Sequence, residues 1–300
     1  MPYLCLIFLI LVSSCSTRSN LSGKYPVKNR TKITTIKFIP QEEHQCGPAA
    51  LSMMFSHIGE TAEASKLSSM VFTPDKKGSF QTDMISAVRR HKLLPLPVKN
   101  LQNLLTELDA GHPVLVLQNL GLSWIPRWHY AVAVGYDLKK SQIILHSGTE
   151  SYSRLGIYTF EKTWARSNNW GLLVVRPGTV NTSVSAVDTV SAIAHLEAMG
   201  FEEEAKKGYE SVLVKEPINL GALIGLGNIY FSRMDFKKSV GVLKAATFHH
   251  NSAEAWHNYA LALQANRDLE SAKEAAAKAI ELCDKSLLPK FKENLSQLIK

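Results

Sequence analysis

Apolar positions follow different periods in different parts of the chain. Between residues 41 and 178, stretches with the period of an amphipathic helix alternate with short apolar runs typical of buried strands. From residue 188 onwards the helical period continues without such runs. The pattern therefore predicts an α+β domain at 41–178, a short polar linker at 179–187 and an all-α region at 188–300.

The α+β domain is expected to open with helices and to continue with strands. A helical pattern begins at Cys46 and ends at Gly59, because glycine is favoured just beyond a helix C-terminus. Two further helices are predicted at 81–91 and 100–110. Strands are predicted at 114–118, 129–136, 142–146 and 171–176, with a polar turn joining the second and third of them.

The all-α region contains an internal repeat. The small residues Ala205, Ser239 and Ala272 are spaced 34 and 33 positions apart, and large apolar residues recur at matching offsets. This period and pattern are typical of tetratricopeptide repeats, in which small side chains let paired helices approach closely. We predict three units, at 188–218, 220–250 and 253–284, and a capping helix at 286–300. A generic helical bundle is the alternative, and the repeat itself indicates a scaffold that binds a protein or peptide partner.

The extreme N-terminus has the features of an export signal. The apolar run at 4–12 is too short to span a bilayer as a helix. The residues Val12-Ser13-Ser14-Cys15 resemble the lipobox of bacterial lipoproteins, although no Lys or Arg precedes the apolar run. The resemblance implies a signal peptide at 1–14, lipidation of Cys15 and, from the serine that follows, sorting to the outer membrane. A plain signal peptide with an incidental cysteine is the alternative.

The net charge of +8 is concentrated beside this signal. Residues 16–40 hold six basic residues and no acidic one. We interpret 15–40 as a basic tether, because one acyl chain next to a polybasic segment is a known two-part membrane anchor. The basic residues are not interleaved with aromatic ones, so nucleic-acid binding is not expected.

Two short motifs have the chemistry of a nucleophilic site. Cys46 stands at the predicted start of a helix, where the helix dipole favours a thiolate. His129 opens a buried strand about eighty residues later, which is a rigid position for a general base. The alternatives are a buried structural thiol and a core histidine. Cys283 lies far from Cys46 in the other region, so a disulfide between them is not expected.

Together the two motifs resemble a known family. The segment Gln41-Glu42-Glu43-His44-Gln45-Cys46-Gly47-Pro48-Ala49, followed by His129-Tyr130-Ala131-Val132-Ala133-Val134-Gly135-Tyr136-Asp137, is similar to the double-glycine-leader, or bacteriocin-processing, cysteine peptidases. The resemblance covers roughly residues 36–176 and implies a papain-like fold. It also implies that Cys46 is the nucleophile, His129 the base and acid, and Gln41 the donor to the oxyanion.

The sequence departs from the family pattern at two positions. Gln41 precedes the cysteine by five residues, where papain-like enzymes commonly have six, and Gln45 is a weaker substitute. The position at which the family has an aspartate that orients the histidine is occupied by Ser147. Asp137 is too far along the strand to replace that aspartate. Loss of the carboxylate removes control of the histidine tautomer.

These features predict an envelope-anchored cysteine peptidase that hydrolyses peptide bonds through a thioester, with repeats that recruit a substrate or partner protein. A catalytically degraded, peptidase-like binding module is the alternative. An acyltransferase or amidase would share the same thioester chemistry. No metal-ligand spacing and no glycine-rich phosphate loop occurs in the sequence, so no cofactor or metal is expected.

Overall fold

A computed structural model describes residues 20–42, 44–76, 78–180, 182–286, 288–296 and 298. The predicted signal peptide at 1–14 and the predicted lipidation site, Cys15, lie outside the described residues. The observed order is an α+β domain followed by an all-α region, which confirms the predicted fold class. None of the helices in the described part of the chain has the length and apolar character needed to span a bilayer.

One antiparallel sheet forms the centre of the N-terminal domain. The strands of this domain are β1 (Arg30–Lys32), β2 (Phe72–Thr73), β3 (Gly78–Ser79), β4 (Leu94–Val98), β5 (Val114–Asn119), β6 (Trp128–Asp137), β7 (Gln142–Ser147), β8 (Glu150–Gly156) and β9 (Gly171–Val175). The central sheet has the order β4-β9-β5-β6-β7-β8, and β1 pairs with β6. The helices of this domain are α1 (Cys46–His57), α2 (Ala64–Val71), α3 (Gln81–Arg90), α4 (Leu101–Asp109) and α5 (Ile157–Ala165).

Helix α1 lies in the core of this domain. Every residue from Gly47 to Phe55 is buried, which explains why the apolar residues occupy all sides of the helix and not one stripe. The helix packs against β6 and β5, whose residues are also almost entirely buried. The start of α1 is thereby fixed against the strand that carries His129.

The predicted tether differs from the structure in its second half. Strand β1 pairs with the C-terminal part of β6, and Ile33 and Ile36 are buried in the core. Strand β5 pairs with β6 only as far as Ala133, so the edge of β6 beyond that point is free to pair with β1. In the sequence, two isolated isoleucines among polar residues are typical of a linker. They are buried in the domain because the open edge of β6 pairs with β1 and brings them to the core.

Strand β4 was not expected from the sequence. It reads Leu94-Pro95-Leu96-Pro97-Val98, and proline disfavours a central strand. In the structure β4 is the last strand at its edge of the sheet and pairs only with β9. Proline is tolerated there because an edge strand needs ladder hydrogen bonds on one side only.

The C-terminal region is a series of helices, each packed on the next. Each of the three units predicted from the repeat contains two of them, and a short helix follows. The helices are α6 (Ala186–Ala198), α7 (Glu202–Lys215), α8 (Leu220–Ser232), α9 (Phe236–His249), α10 (Ala253–Ala265), α11 (Leu269–Leu282) and α12 (Leu288–Asn294).

Small residues set the spacing between these helices. Ala205, Ser239 and Ala272, the three positions of the repeat, are fully buried. At Gly225 an added Cβ would lie 2.2 Å from a ring carbon of Tyr209 on the neighbouring helix. The close approach predicted from the small-residue pattern is therefore present in the structure.

The two regions share one apolar core. Helix α6 packs against β4, and the core of the sheet continues into α6, α7 and α8. The predicted linker at 179–187 is attached to the domain, because the Ser183 backbone N–H donates to the carboxylate of the buried Glu107 on α4. The first repeat therefore extends the N-terminal domain and is held directly against it.

Candidate active site

Cys46 is the first residue of α1, as predicted from the sequence. The preceding residue, Gln45, is the N-cap, and its side-chain oxygen accepts a hydrogen bond of 2.8 Å from the Ser68 hydroxyl. Gln45 is thus engaged away from the helix end.

Gly47 allows β3 to lie against the start of α1. A Cβ at this position would come 2.4 Å from the Ser79 hydroxyl oxygen and 2.7 Å from its Cβ. Because no real Cβ tolerates such a contact, only glycine fits here without displacing β3. The Cys-Gly pair of the motif therefore has a steric cause in this chain.

His129, the second residue of β6, is held by Ser147. The Nε2 atom of the ring lies 2.8 Å from the Ser147 hydroxyl oxygen, which is the last residue of the adjacent strand β7. Asp137 lies at the other end of β6 and accepts a hydrogen bond from the Lys140 backbone in the following turn. The side chain in the expected aspartate position therefore does contact the histidine, but as a neutral hydroxyl.

The environment of His129 favours its neutral form. Burial lowers the pKa of the imidazole below its ordinary value of 6.5, and the neighbouring Arg127 guanidinium lowers it further. A neutral imidazole at neutral pH has a free lone pair and can accept a proton. This protonation state suits a general base.

The Gln41 side chain bonds backbone groups next to His129 and Ser147. Its Nε2 donates to the Tyr130 carbonyl at 3.1 Å, and its Oε1 accepts from the Gly148 backbone N–H at 3.1 Å. The buried amide thus joins the strand of His129 to the turn after Ser147. It is not among the residues that line the cavity beside Cys46, and its assignment as oxyanion donor stays a prediction.

Cys46 faces a cavity of about 940 Å³. Within the described residues, the Cys46 sulfur makes no hydrogen bond to His129. The side chain of Tyr130 lies beside Cys46 in the lining of the cavity. Its hydroxyl donates to the Ser79 carbonyl at 3.2 Å. Burial raises the pKa of Tyr130, with smaller contributions from Cys46 and Asp83. The Tyr130 side chain that lines the cavity is therefore a neutral phenol.

Sequence reasoning did not identify the other walls of this cavity. Apolar and aromatic side chains form much of its lining, namely Phe80, Leu117, Pro126 and Trp128. Two arginines, Arg127 and Arg166, supply its positive charge. Pro126, Arg127 and Trp128 directly precede His129 in the sequence. That position beside the histidine motif was the only sequence signal that they line the cavity.

No metal site accompanies these groups in the described part of the chain. A cluster of three or more His, Cys, Asp or Glu side chains that could hold a metal ion is absent there. Both described cysteines, Cys46 and Cys283, are free thiols. The arrangement can supply a thiol, an imidazole and hydrogen-bond donors, which is the equipment of nucleophilic catalysis.

Comparison with known proteins gives matches for both parts of the chain. Residues 33–171 match the model of the Peptidase_C39 like family. Among solved structures, a putative C39-like peptidase from Bacillus anthracis is similar over 50% of this chain and 98% of its own, at 16% identity and a TM-score of 0.43. The peptidase domain of Streptococcus ComA is similar over 47% of this chain and 98% of its own, at 19% identity and a TM-score of 0.38.

The helical region has its own relatives. The first TPR domain of human RPAP3 is similar over 38% of this chain and 94% of its own, at 19% identity and a TM-score of 0.33. A search of curated protein sequences finds no match. Residues 33–171 therefore match a C39-like peptidase family, and a helical region that resembles tetratricopeptide repeats follows them.

Proposed function

We propose that this protein is a cysteine peptidase anchored in the bacterial cell envelope, with Cys46 as nucleophile and His129 as general base and acid. The observation that carries the proposal is the hydrogen bond of 2.8 Å between His129 and Ser147, in the position that the family gives to the orienting residue. The proposal is further supported by Cys46 at the start of α1, facing a cavity large enough for a peptide side chain.

The reaction follows from these groups. His129 takes the proton from the Cys46 thiol, and the resulting thiolate attacks the peptide carbonyl carbon. The tetrahedral oxyanion collapses, the C–N bond breaks, and the leaving amine takes the proton from His129. Water then attacks the thioester with His129 again as base, which releases the acid and restores the thiol. Gln41 would donate its second amide hydrogen to the oxyanion.

The hydrogen bond to Ser147 sets a limit on catalytic efficiency. Because Nε2 is engaged by the hydroxyl, Nδ1 is the atom left to accept the thiol proton. A carboxylate can only accept a hydrogen bond, so it forces the proton onto Nε2 and keeps Nδ1 basic. A hydroxyl donates as readily as it accepts, so it supports both tautomers. We therefore expect slow turnover, in line with the loss of roughly 10⁴-fold that follows loss of tautomer control in a Ser-His-Asp triad.

The anchoring part of the proposal rests on the lipobox-like sequence at Cys15 and the basic residues after it. The Leu21 backbone N–H already bonds to the Leu138 carbonyl of the domain. Six residues span at most about 20 Å, so a lipid on Cys15 would hold the domain close to the membrane surface. The repeats would present a bound substrate or partner protein beside the peptidase-like domain.

Chemical labelling tests the catalytic assignment. The full chain would be treated with iodoacetamide at pH 7, and the labelled cysteines quantified by mass spectrometry. Cys283 is half-buried like Cys46 and serves as an internal control. We expect Cys46 to react faster than Cys283, and His129→Ala to remove the difference. Equal rates, or a rate at Cys46 that does not change with His129→Ala, would contradict the proposal.

A second candidate is a peptidase-like module that binds peptides without cleaving them. The neutral Ser147 in the orienting position, together with the lack of a Cys46–His129 hydrogen bond among the described residues, favours it. It predicts that Cys46→Ala leaves the cellular phenotype of the protein intact, whereas deletion of residues 188–300 removes it. An active peptidase predicts loss of the phenotype with Cys46→Ala.

A further inference from the structure

An exposed apolar loop stands beside the cavity. It comprises residues 120–128, which join β5 to β6 and include the first residue of β6, and we name it the apolar loop. At least half of the surface of five large apolar side chains in it is exposed, and Trp124 is 74% exposed. These five are Leu120, Leu122, Trp124, Ile125 and Trp128. So many exposed apolar residues in nine positions indicate a binding surface.

The apolar loop is fixed by hydrogen bonds at its base. The Asn119 side-chain oxygen accepts from the Gly121 and Arg127 backbone N–H groups, each at 2.9 Å. The Leu120 N–H donates to the Arg127 carbonyl at 2.9 Å. Arg166 on the far side donates through Nη1 to the carbonyls of Asn119 and Gly121. A loop held in this way loses little conformational entropy when a ligand binds.

The charge beside the apolar loop has one sign. Arg127 and Arg166 line the cavity together with Cys46, and no Asp or Glu is among the lining residues. The ion pairs found within the described ranges include neither arginine. The Nε and Nη2 groups of Arg166 have no partner among those residues, so they are available to a carboxylate.

The position of the apolar loop favours a peptide over a membrane as its occupant. Arg127 and Trp128 belong to both the loop and the cavity that Cys46 faces. Leu21, near the start of the described residues, lies at the opposite end of β6, where its backbone N–H donates to the Leu138 carbonyl. The ten residues of β6 separate the two ends by about 30 Å, so the lipid proposed on Cys15 would hold a bilayer nearer the end of β6 that lies away from the loop.

We propose that the apolar loop, Arg127 and Arg166 form a recognition site for a peptide segment that carries a carboxylate next to a large apolar side chain. The apolar side chain packs against Trp124 and Trp128, and the carboxylate pairs with the guanidinium groups. This inference names the substrate class of the proposed peptidase. The binding itself does not require cleavage.

The test separates binding from cleavage. An array of random octapeptides is probed with the fluorescently labelled full chain carrying Cys46→Ala, which cannot turn over. We expect the retained peptides to be enriched in Asp or Glu next to Leu, Phe or Trp. Arg127→Gln and Arg166→Gln are each expected to weaken binding of an acidic hit by about fivefold, the upper end for an exposed ion pair. Trp124→Ser is expected to weaken it by about tenfold.

Matched controls use groups of the same chemistry elsewhere. Arg154 on β8 and Phe248 on α9 are exposed and do not line the cavity, so Arg154→Gln and Phe248→Ser are expected to leave binding unchanged. The inference is overturned if no peptide is retained, if basic peptides are enriched, or if the loop and control variants behave alike. It is also overturned if Trp124→Ser reduces binding to phosphatidylglycerol vesicles but not to peptides.

The outcomes also separate this inference from the proposed function. Retention of acidic, apolar peptides without cleavage by the unmodified chain supports the recognition site and contradicts the peptidase. Cleavage of peptides regardless of their acidic or apolar residues supports the peptidase and contradicts the recognition site.

Discussion

His146, next to the candidate site, is predicted to make the stability of the protein depend on pH. Its ring is completely buried between Phe38 and Tyr152, with centroid distances of 5.1 and 4.5 Å. Nδ1 accepts a hydrogen bond of 3.2 Å from the Tyr152 backbone N–H. Burial lowers the pKa of His146 from 6.5 to about 4, and the nearby Lys32 ammonium contributes in the same direction. The folded protein therefore holds this ring in its neutral form.

The sign and size of the effect follow from that shift. The unfolded chain binds a proton at His146 below pH 6.5, whereas the folded chain does so only near pH 4. The resulting contribution to stability is fully present above pH 6.5 and is lost as the pH falls to about 4. A difference of about 2.5 pKa units corresponds to about 3 kcal/mol of the free energy of unfolding.

Urea unfolding, followed by tryptophan fluorescence between pH 7.5 and pH 4, would measure this change in the free energy of unfolding. The control is His146→Gln, whose side-chain oxygen can still accept from Tyr152 but which does not titrate. The stability advantage of the unaltered chain over this variant is expected to shrink by about 3 kcal/mol across the range. All other titrating groups are common to both proteins and cancel. A constant difference would refute the reasoning, as would an NMR titration in which His146 of the unaltered chain protonates near pH 6.5.

Two further predictions concern the site and the repeats. Ser147→Asp places a carboxylate beside His129 and is expected to raise the imidazole pKa by about 1–3 units, which would appear as a higher pH midpoint in the labelling rate of the thiol. An unchanged midpoint would show that residue 147 does not act on the base. Gly225→Ala forces a Cβ to within 2.2 Å of the Tyr209 ring and is expected to lower the free energy of unfolding by about 1–3 kcal/mol. Gly241→Ala is the control, since a Cβ there meets nothing within 4 Å, and is expected to stabilise helix α9 by about 0.5–1 kcal/mol.

The elements that the sequence predicted best are those with a strong local period. The helix at Cys46 and the strands around His129 and Ser147 appear within one or two residues of their predicted bounds. Continuous burial explains this agreement, because these segments are apolar over their whole length. Strand β1 and strand β4 were missed, because a polar strand and a proline-containing strand form only where the sheet offers an open edge.

The candidate site shows the same division. Motif spacing alone paired Cys46 with His129 and put Ser147 in the orienting position. It did not reveal that Gln41 bonds backbone groups of β6 and the following turn, because those bonds join residues 107 and 89 positions apart. It also gave no indication of the two arginines in the cavity, since Arg127 and Arg166 come from separate loops.

The sequence by itself determined the order of the two regions, the small residues between repeat helices and the candidates for nucleophile and base. These properties are local or periodic, so neighbouring residues are enough to specify them. Only the tertiary structure decided what surrounds Cys46 and which groups Gln41 bonds. Those contacts depend on strand register and on loops brought together from distant parts of the chain. Contacts between residues so far apart produce no periodic pattern in the sequence, so they cannot be predicted from it.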